Sequence, residues 1–283
     1  MSCKAGTAGC ACWQSLGRES WLTVAFYRWA SYDHDQTMRR FGIVLLLAFF
    51  PLTATAWTRA SDERIAKKAA ALAPPDLRML IEKFDAEYKL GLERAQADEG
   101  SATHSYFVLS RQGRLREQIE RETRGAIAMI RKGEPMSMVV RRLGGLAHLI
   151  ADANNPFHVA NDDTRLAASH NDFETYFERR LSKFPTVFYG LDPKFSLTPY
   201  LDKTFARSAK FYPLIAEEYF RGGARRSSAE FDDRSTAFGV ASVSYSRAVT
   251  DLVNLYYYIW KEAGGDVRSA AVMRDGNLLL NAH

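Results

Sequence analysis

The sequence predicts an all-α fold, built as a single multi-helix bundle domain. Three observations point there. Apolar residues recur at three- and four-residue spacing along most of the chain. Proline, serine and glycine punctuate those stretches where helices begin and end. No alternating strand pattern of useful length appears.

The first 56 residues are set aside from the fold. Met38-Arg39-Arg40 is a basic start, Phe41 to Phe50 is apolar apart from one glycine, and Ala54-Thr55-Ala56 is a small-x-small cleavage signature. Together they read as a signal peptide over 38–56. The apolar run is shorter than the roughly 20 residues a spanning helix needs. Residues 1–37 then read as a mis-assigned upstream extension, and the mature chain begins at Trp57. The expected location is secreted or periplasmic. Cys3, Cys10 and Cys12 all precede Met38, so the mature chain has no cysteine, and any metal site must use His, Asp and Glu. Five basic and three acidic residues precede Trp57, which leaves 33 and 30. A chain so close to neutral gives no general argument for nucleic-acid or membrane affinity. At 47% hydrophobic residues, the core material is ample for one domain over 57–265, with a loose tail at 266–283.

Glu63 to Leu72 is rich in Ala and Lys, both good helix formers. Pro74-Pro75-Asp76 opens a second helix, with Leu77, Leu80, Ile81, Phe84, Tyr88 and Leu92 on one face, and Asp98 to Ser101 breaks it. Gln112 to Arg131 is a charged helix that turns Leu115, Ile119, Ala126 and Ile130 inward. Pro135 starts another that runs to about Ala153, and Gly144-Gly145 within it permits close packing. Ser169 is the expected N-cap of His170 to Leu181. Tyr200 to Phe220 is expected to be one helix kinked at Pro213. Ser235 to Glu262 follows, stopped by Gly264-Gly265. The total is about seven helices.

Histidine is scarce, and four of six lie within the domain: His104, His148, His158 and His170. His148 and Asp152 are four apart on one helix, so they share a face, and His170 with Glu174 repeats that geometry. Asn154-Asn155-Pro156-Phe157 turns the chain between them and directs His158 back. One such pair is usually a surface pair. Two of them in 27 residues, one inside an apolar stretch, suit a metal site of imidazole and carboxylate donors. Asp98 and His104, after a helix end, are placed to complete it.

The segment Gly145 to His158, followed by His170-x3-Glu174, resembles the metal-binding core of zinc-dependent phospholipases C and their single-strand nuclease relatives. The resemblance implies that Asp98, His104, His148 and Asp152 hold one Zn2+, and that His158, His170 and Glu174 hold a second. It implies a third at Trp57, through its α-amino group and carbonyl, together with a bridging Asp152. Such proteins have histidine about five residues after the tryptophan as a ligand of that third ion; this chain has Asp62 there, which could still coordinate it. Glu99 is an alternative to Asp98. An acidic residue three after the tryptophan, associated with choline recognition, is replaced by Ala60.

The implied activity is that of a secreted phosphodiesterase of phospholipase C type. It would hydrolyse a phosphate ester with a metal-bound hydroxide, with Asp98 as the candidate catalytic base. Glu174, where the nucleases generally show Asp, points to the phospholipase branch. Expected partners are a phospholipid or other phosphodiester substrate and transient contact with a membrane surface; the chain is expected to act as a monomer. The alternatives are a single-strand nuclease of the same fold, with Tyr106, Phe107, Phe157 and Tyr176 as stacking candidates, or a non-enzymatic metal-binding relative. Arg141, Arg142, Arg179 and Arg180 read as a solvated helix face.

Overall fold

The computed structural model describes residues 58–98, 102–267 and 279–280. The upstream extension, the signal peptide, Trp57 and Glu99 lie outside the described residues, as does most of the tail. Ten α-helices are described: α1 (Arg59–Ala71), α2 (Pro75–Lys83), α3 (Asp85–Ala97), α4 (Leu115–Arg131), α5 (Met136–Ala153), α6 (Pro156–Val159), α7 (His170–Arg180), α8 (Leu197–Ala209), α9 (Tyr212–Tyr219) and α10 (Thr236–Glu262). A hairpin pairs β1 (Tyr106–Phe107) antiparallel with β2 (Gln112–Gly113). Thr186–Val187 (β3) pairs likewise with Leu279–Leu280 (β4).

α5 is the centre of the bundle. It packs against α3, α4, α10 and α1. Val139, Val140, Leu143, Leu146, Ala147 and Ala151 are all essentially inaccessible. A helix apolar on nearly every side belongs in the interior, and each large side chain so buried contributes roughly 1.5–3 kcal/mol. α10 closes the bundle with Tyr245, Leu252, Leu255, Tyr256 and Ile259, and Ser235 caps it by accepting from the Phe238 amide.

α3 and α5 touch backbone to backbone. A Cβ on Gly144 would stand 1.9 Å from the Tyr88 carbonyl oxygen, and one on Gly91 1.8 Å from that of Arg141. Gly144→Ala is therefore expected to cost about 3 kcal/mol, at the upper end of overpacking penalties. Gly239, on the open side of α10, has nothing within 4 Å of the point a Cβ would occupy. Gly239→Ala should instead be neutral or gain up to about 1 kcal/mol. Denaturant melts of the two variants read the difference directly; equal effects would contradict the close approach.

Four elements differ from expectation. The long second helix divides at Phe84, whose φ of −113° and ψ of 36° interrupt the helical run. α4 starts at Leu115, because Gln112 and Gly113 are taken by the hairpin. The helix expected over 200–220 is two, and Pro213 does not kink one: it sits in the first turn of α9, where its missing N–H costs nothing. Ser169 holds the N-cap position of α7 but makes no capping bond; its hydroxyl accepts from Arg225 Nε at 3.0 Å. Among the described residues no helix is long and apolar enough to cross a membrane.

Candidate metal centre

Five local structures deliver the site. α5 supplies His148 and Asp152, one turn apart and wholly buried. The chain leaves α5 at Asn154, and Asn155 then caps α6 by accepting the Phe157 amide at 3.1 Å, with Pro156 in the first turn. That cap, favoured by Asn before Pro, folds His158 back toward α5. A 3-10 turn, Ala102–His104, presents His104. α7 presents His170 and Glu174. The first turn of α1 presents Asp62.

The side chains meet in two adjoining groups. Donor atoms of His104, His148 and Asp152 lie within 4.8 Å of one another, as do those of His158, His170 and Glu174. Asp152 stands between them. Its Oδ2 is 2.9 Å from His104 Nδ1 and 3.4 Å from His148 Nε2, while Oδ1 is 3.9 Å from His158 Nδ1. Glu174 Oε1 is 2.8 Å from His170 Nε2 and 3.6 Å from His158 Nε2.

The rings are oriented by the protein on their far sides. His148 Nδ1–H donates to Asp62 Oδ2 at 2.6 Å, and His158 Nδ1–H donates to the His104 carbonyl at 2.5 Å. In both, Nε2 is left facing its group. His170 is stacked on Phe157, centroids 5.0 Å apart and planes 2° from parallel. Asn155 Nδ2 donates to Glu174 Oε1 at 3.0 Å. A hydrogen-bonded partner behind the ring, as His148 and His158 have, is the arrangement that metal-ligating histidines need.

Charge follows the same plan. Burial opposes ionisation of Asp152, but the histidines around it, His148 first, outweigh burial and hold its pKa below the ordinary value. Glu174 is held down in the same way by His158 and His170. Burial pulls His158 downward, yet Asp152 and Glu174 lift it to about 9. Asp62 is raised to about 7, chiefly by burial, with His148 offsetting part of the rise.

Asp152 Oδ1, His158 Nε2, His170 Nε2, Glu174 Oε2 and Asp62 Oδ1 are buried and make no hydrogen bond among the described residues. Polar atoms so placed are costly unless an ion pair or a metal ion meets them, and the two imidazole Nε2 atoms stand beside the Glu174 carboxylate. Mixed imidazole and carboxylate donors suit zinc and similar transition metals, whereas calcium and magnesium favour all-oxygen sets. Two buried groups can thus each hold a metal ion, and their chemistry fits zinc.

The other expected residues lie apart from these groups or outside the described residues. Asp98 is exposed at the end of α3 and lines a groove of about 360 Å³ with His104, Arg94, Gln118 and Glu122. Trp57 is not among the described residues. The roles of Asn155 behind Glu174 and of Phe157 against His170 are not assigned by sequence reasoning; the Asn-Pro capping signal was available for the first.

No family model and no curated protein matches the sequence. Among solved structures, the chain is similar to the alpha-toxin of an avian strain of Clostridium perfringens. The TM-score is 0.56 at 14% identity, over 77% of this chain and 66% of that one. It is also similar to the alpha-toxin of Clostridium absonum, with a TM-score of 0.52 at 17% identity over 73% and 64%. The chain spans less than two-thirds of the length of either toxin. With ten helices around the two donor groups, the chain has an all-α, phospholipase C-like fold.

Proposed function

We propose that the chain is a zinc-dependent phosphoric ester hydrolase of phospholipase C type, exported and cleaved before Trp57. The observation that carries this is the pair of adjoining donor groups, the first including Asp152 and the second Glu174, with buried donor atoms that make no hydrogen bond among the described residues. His104, His148 and Asp152 would hold one zinc, and His158, His170 and Glu174 the other. Bound zinc supplies Lewis acidity toward phosphoryl oxygens and makes water a stronger acid.

The chain's own residues do the rest. Asp62 and the His104 carbonyl fix two imidazoles, and Asn155 fixes Glu174. Asp98, on the wall of the groove that reaches His104, would act as the base at its open side. Arg94 gives that groove a cation for an anionic substrate, while Met129, Met138 and Leu149 give it an apolar side. Such a mixture suits an amphiphilic phosphodiester.

A nuclease would need stacking aromatics along its groove. Phe157 and Tyr176 are buried in the core, Tyr106 packs on Phe205, and among the described residues no Phe, Tyr or Trp lines the groove. Arg141 and Arg142 pair with Glu87 and Glu122, and Arg179 and Arg180 bond to Ser228 and the Phe231 carbonyl. This favours phospholipid over single-stranded nucleic acid. The test is metal content of the purified protein, with phospholipid and single-stranded DNA cleavage measured side by side. Two zincs and lipid cleavage are expected. A fully metallated chain inactive on both would favour a non-enzymatic role, and preferential DNA cleavage would reverse the order of substrates.

A further inference from the structure

Asp62 stands where the resemblance leads one to expect histidine, and its surroundings give it a different task. We propose that Asp62 is a positioning residue for His148, fixing which ring nitrogen faces the first donor group, and not a donor to a third metal. This rests on the reading of that group as a zinc site. Asp62 is 1% exposed and His148 is fully buried, so their contact is shielded from water. At 2.6 Å, His148 Nδ1 and Asp62 Oδ2 form a short hydrogen bond, which becomes charge-assisted once Asp62 is ionised. With Nδ1 committed as donor, the lone pair is on Nε2. That atom lies 3.2 Å from His104 Nδ1 and 3.4 Å from Asp152 Oδ2, within the group.

A carboxylate behind a ligating imidazole both orients the ring and makes it a stronger donor. The oxygen that does so here is thereby engaged. The other, Oδ1, makes no hydrogen bond among the described residues, and a rival role as a metal donor would run through it. Counting ions separates the two.

The chain is expressed whole, its N-terminus is read by mass spectrometry, and zinc is titrated against a chromophoric chelator in wild type, Asp62→Asn and Asp62→Ala. Two zincs per chain are expected in all three. Asp62→Ala should weaken one of them by roughly 10–100-fold and leave the other unchanged. Asp62→Asn is nearly isosteric and its amide oxygen can still accept the Nδ1–H, so it should recover most of that loss. Such rescue is not expected of a ligand, because an amide is a poor substitute for a zinc-bound carboxylate. Three zincs in wild type, falling to two in both variants with the remaining affinities intact, would overturn the proposal. So would unchanged affinity in Asp62→Ala. A wild-type chain that binds no zinc overturns the metal reading itself, and this role with it.

Discussion

Replacing His158 by alanine is expected to remove one of two zincs and to lower phosphodiester hydrolysis by more than about a hundredfold. Losing a partner behind a ligand already costs roughly 10–100-fold, so losing the ligand should exceed that. His158 also touches residues of both groups. Its Nδ1–H holds the His104 carbonyl, it lies 3.9 Å from Asp152, and its Nε2 faces Glu174. Removing it frees the turn that carries His104 as well as opening the second group. Stability should move in parallel. A ligand at a thousand times its Kd stabilises the native state by about 4 kcal/mol. In a domain of this size that is roughly 8–16 °C in Tm. Chelation removes both ions, so wild-type protein should melt roughly 16–32 °C lower, and His158→Ala should show about half that zinc response. Calorimetry with and without zinc measures both. A His158→Ala chain that keeps two zincs, or the wild-type Tm shift, would remove this residue from the site.

The zinc-free protein is expected to lose stability as pH rises from about 4 to 9, and the zinc-loaded protein to hold or gain stability above pH 6. Asp62 is raised to about 7 by burial, so the folded chain keeps a proton there that the unfolded chain gives up near 4. His158 is raised to about 9 against burial by Asp152 and Glu174, so it keeps its proton above the unfolded value of about 6.5. Wherever the native state holds more protons than the unfolded one, stability falls with rising pH. The Asp62 contribution falls over about pH 4–7, and that of His158 is complete below about 6.5 and lost through 9. Asp152 and Glu174, whose pKa values are lowered, act oppositely and only at the acid end, where their contribution is lost as pH falls. Zinc requires the neutral imidazole, so its uptake at pH 7 displaces the His158 proton and tightens as pH rises. Melting curves of chelated and zinc-loaded protein between pH 5 and 9 should diverge with pH. Titration calorimetry in buffers of different ionisation enthalpy should report proton release. Parallel curves and no release would mean that His158 is neutral before metal binds.

Much of the helical framework was legible, because periodicity is a local property. The apolar faces of α4, α5 and α10 follow three- and four-residue spacing and are buried as that spacing requires. The breaks were less legible. Phe84 fits the helical pattern on both sides, and only tertiary packing interrupts the run there. Gln112 and Gly113 carry no helix-breaking charge pattern, yet they pair with Tyr106 and Phe107. Pro213 signalled a disturbance, but whether it kinks one helix or starts another depends on how α8 and α9 are placed.

The sequence by itself determined that His148 with Asp152 and His170 with Glu174 share helical faces, since four-residue spacing compels it. The Asn-Pro turn likewise directed His158 back toward α5. Only the tertiary structure decided what stands behind the histidines. Asp62 is 86 residues from His148, and the His104 carbonyl is 54 from His158. No local spacing encodes such a pairing. It arises because α1 docks on α5 and the 102–104 turn on α4, placements set by packing over the whole fold that leave no short motif. The same docking took Asp98, adjacent in sequence to the expected site, and left it at the exposed edge of a groove. It also brought Asp62 within hydrogen-bonding distance of the buried His148.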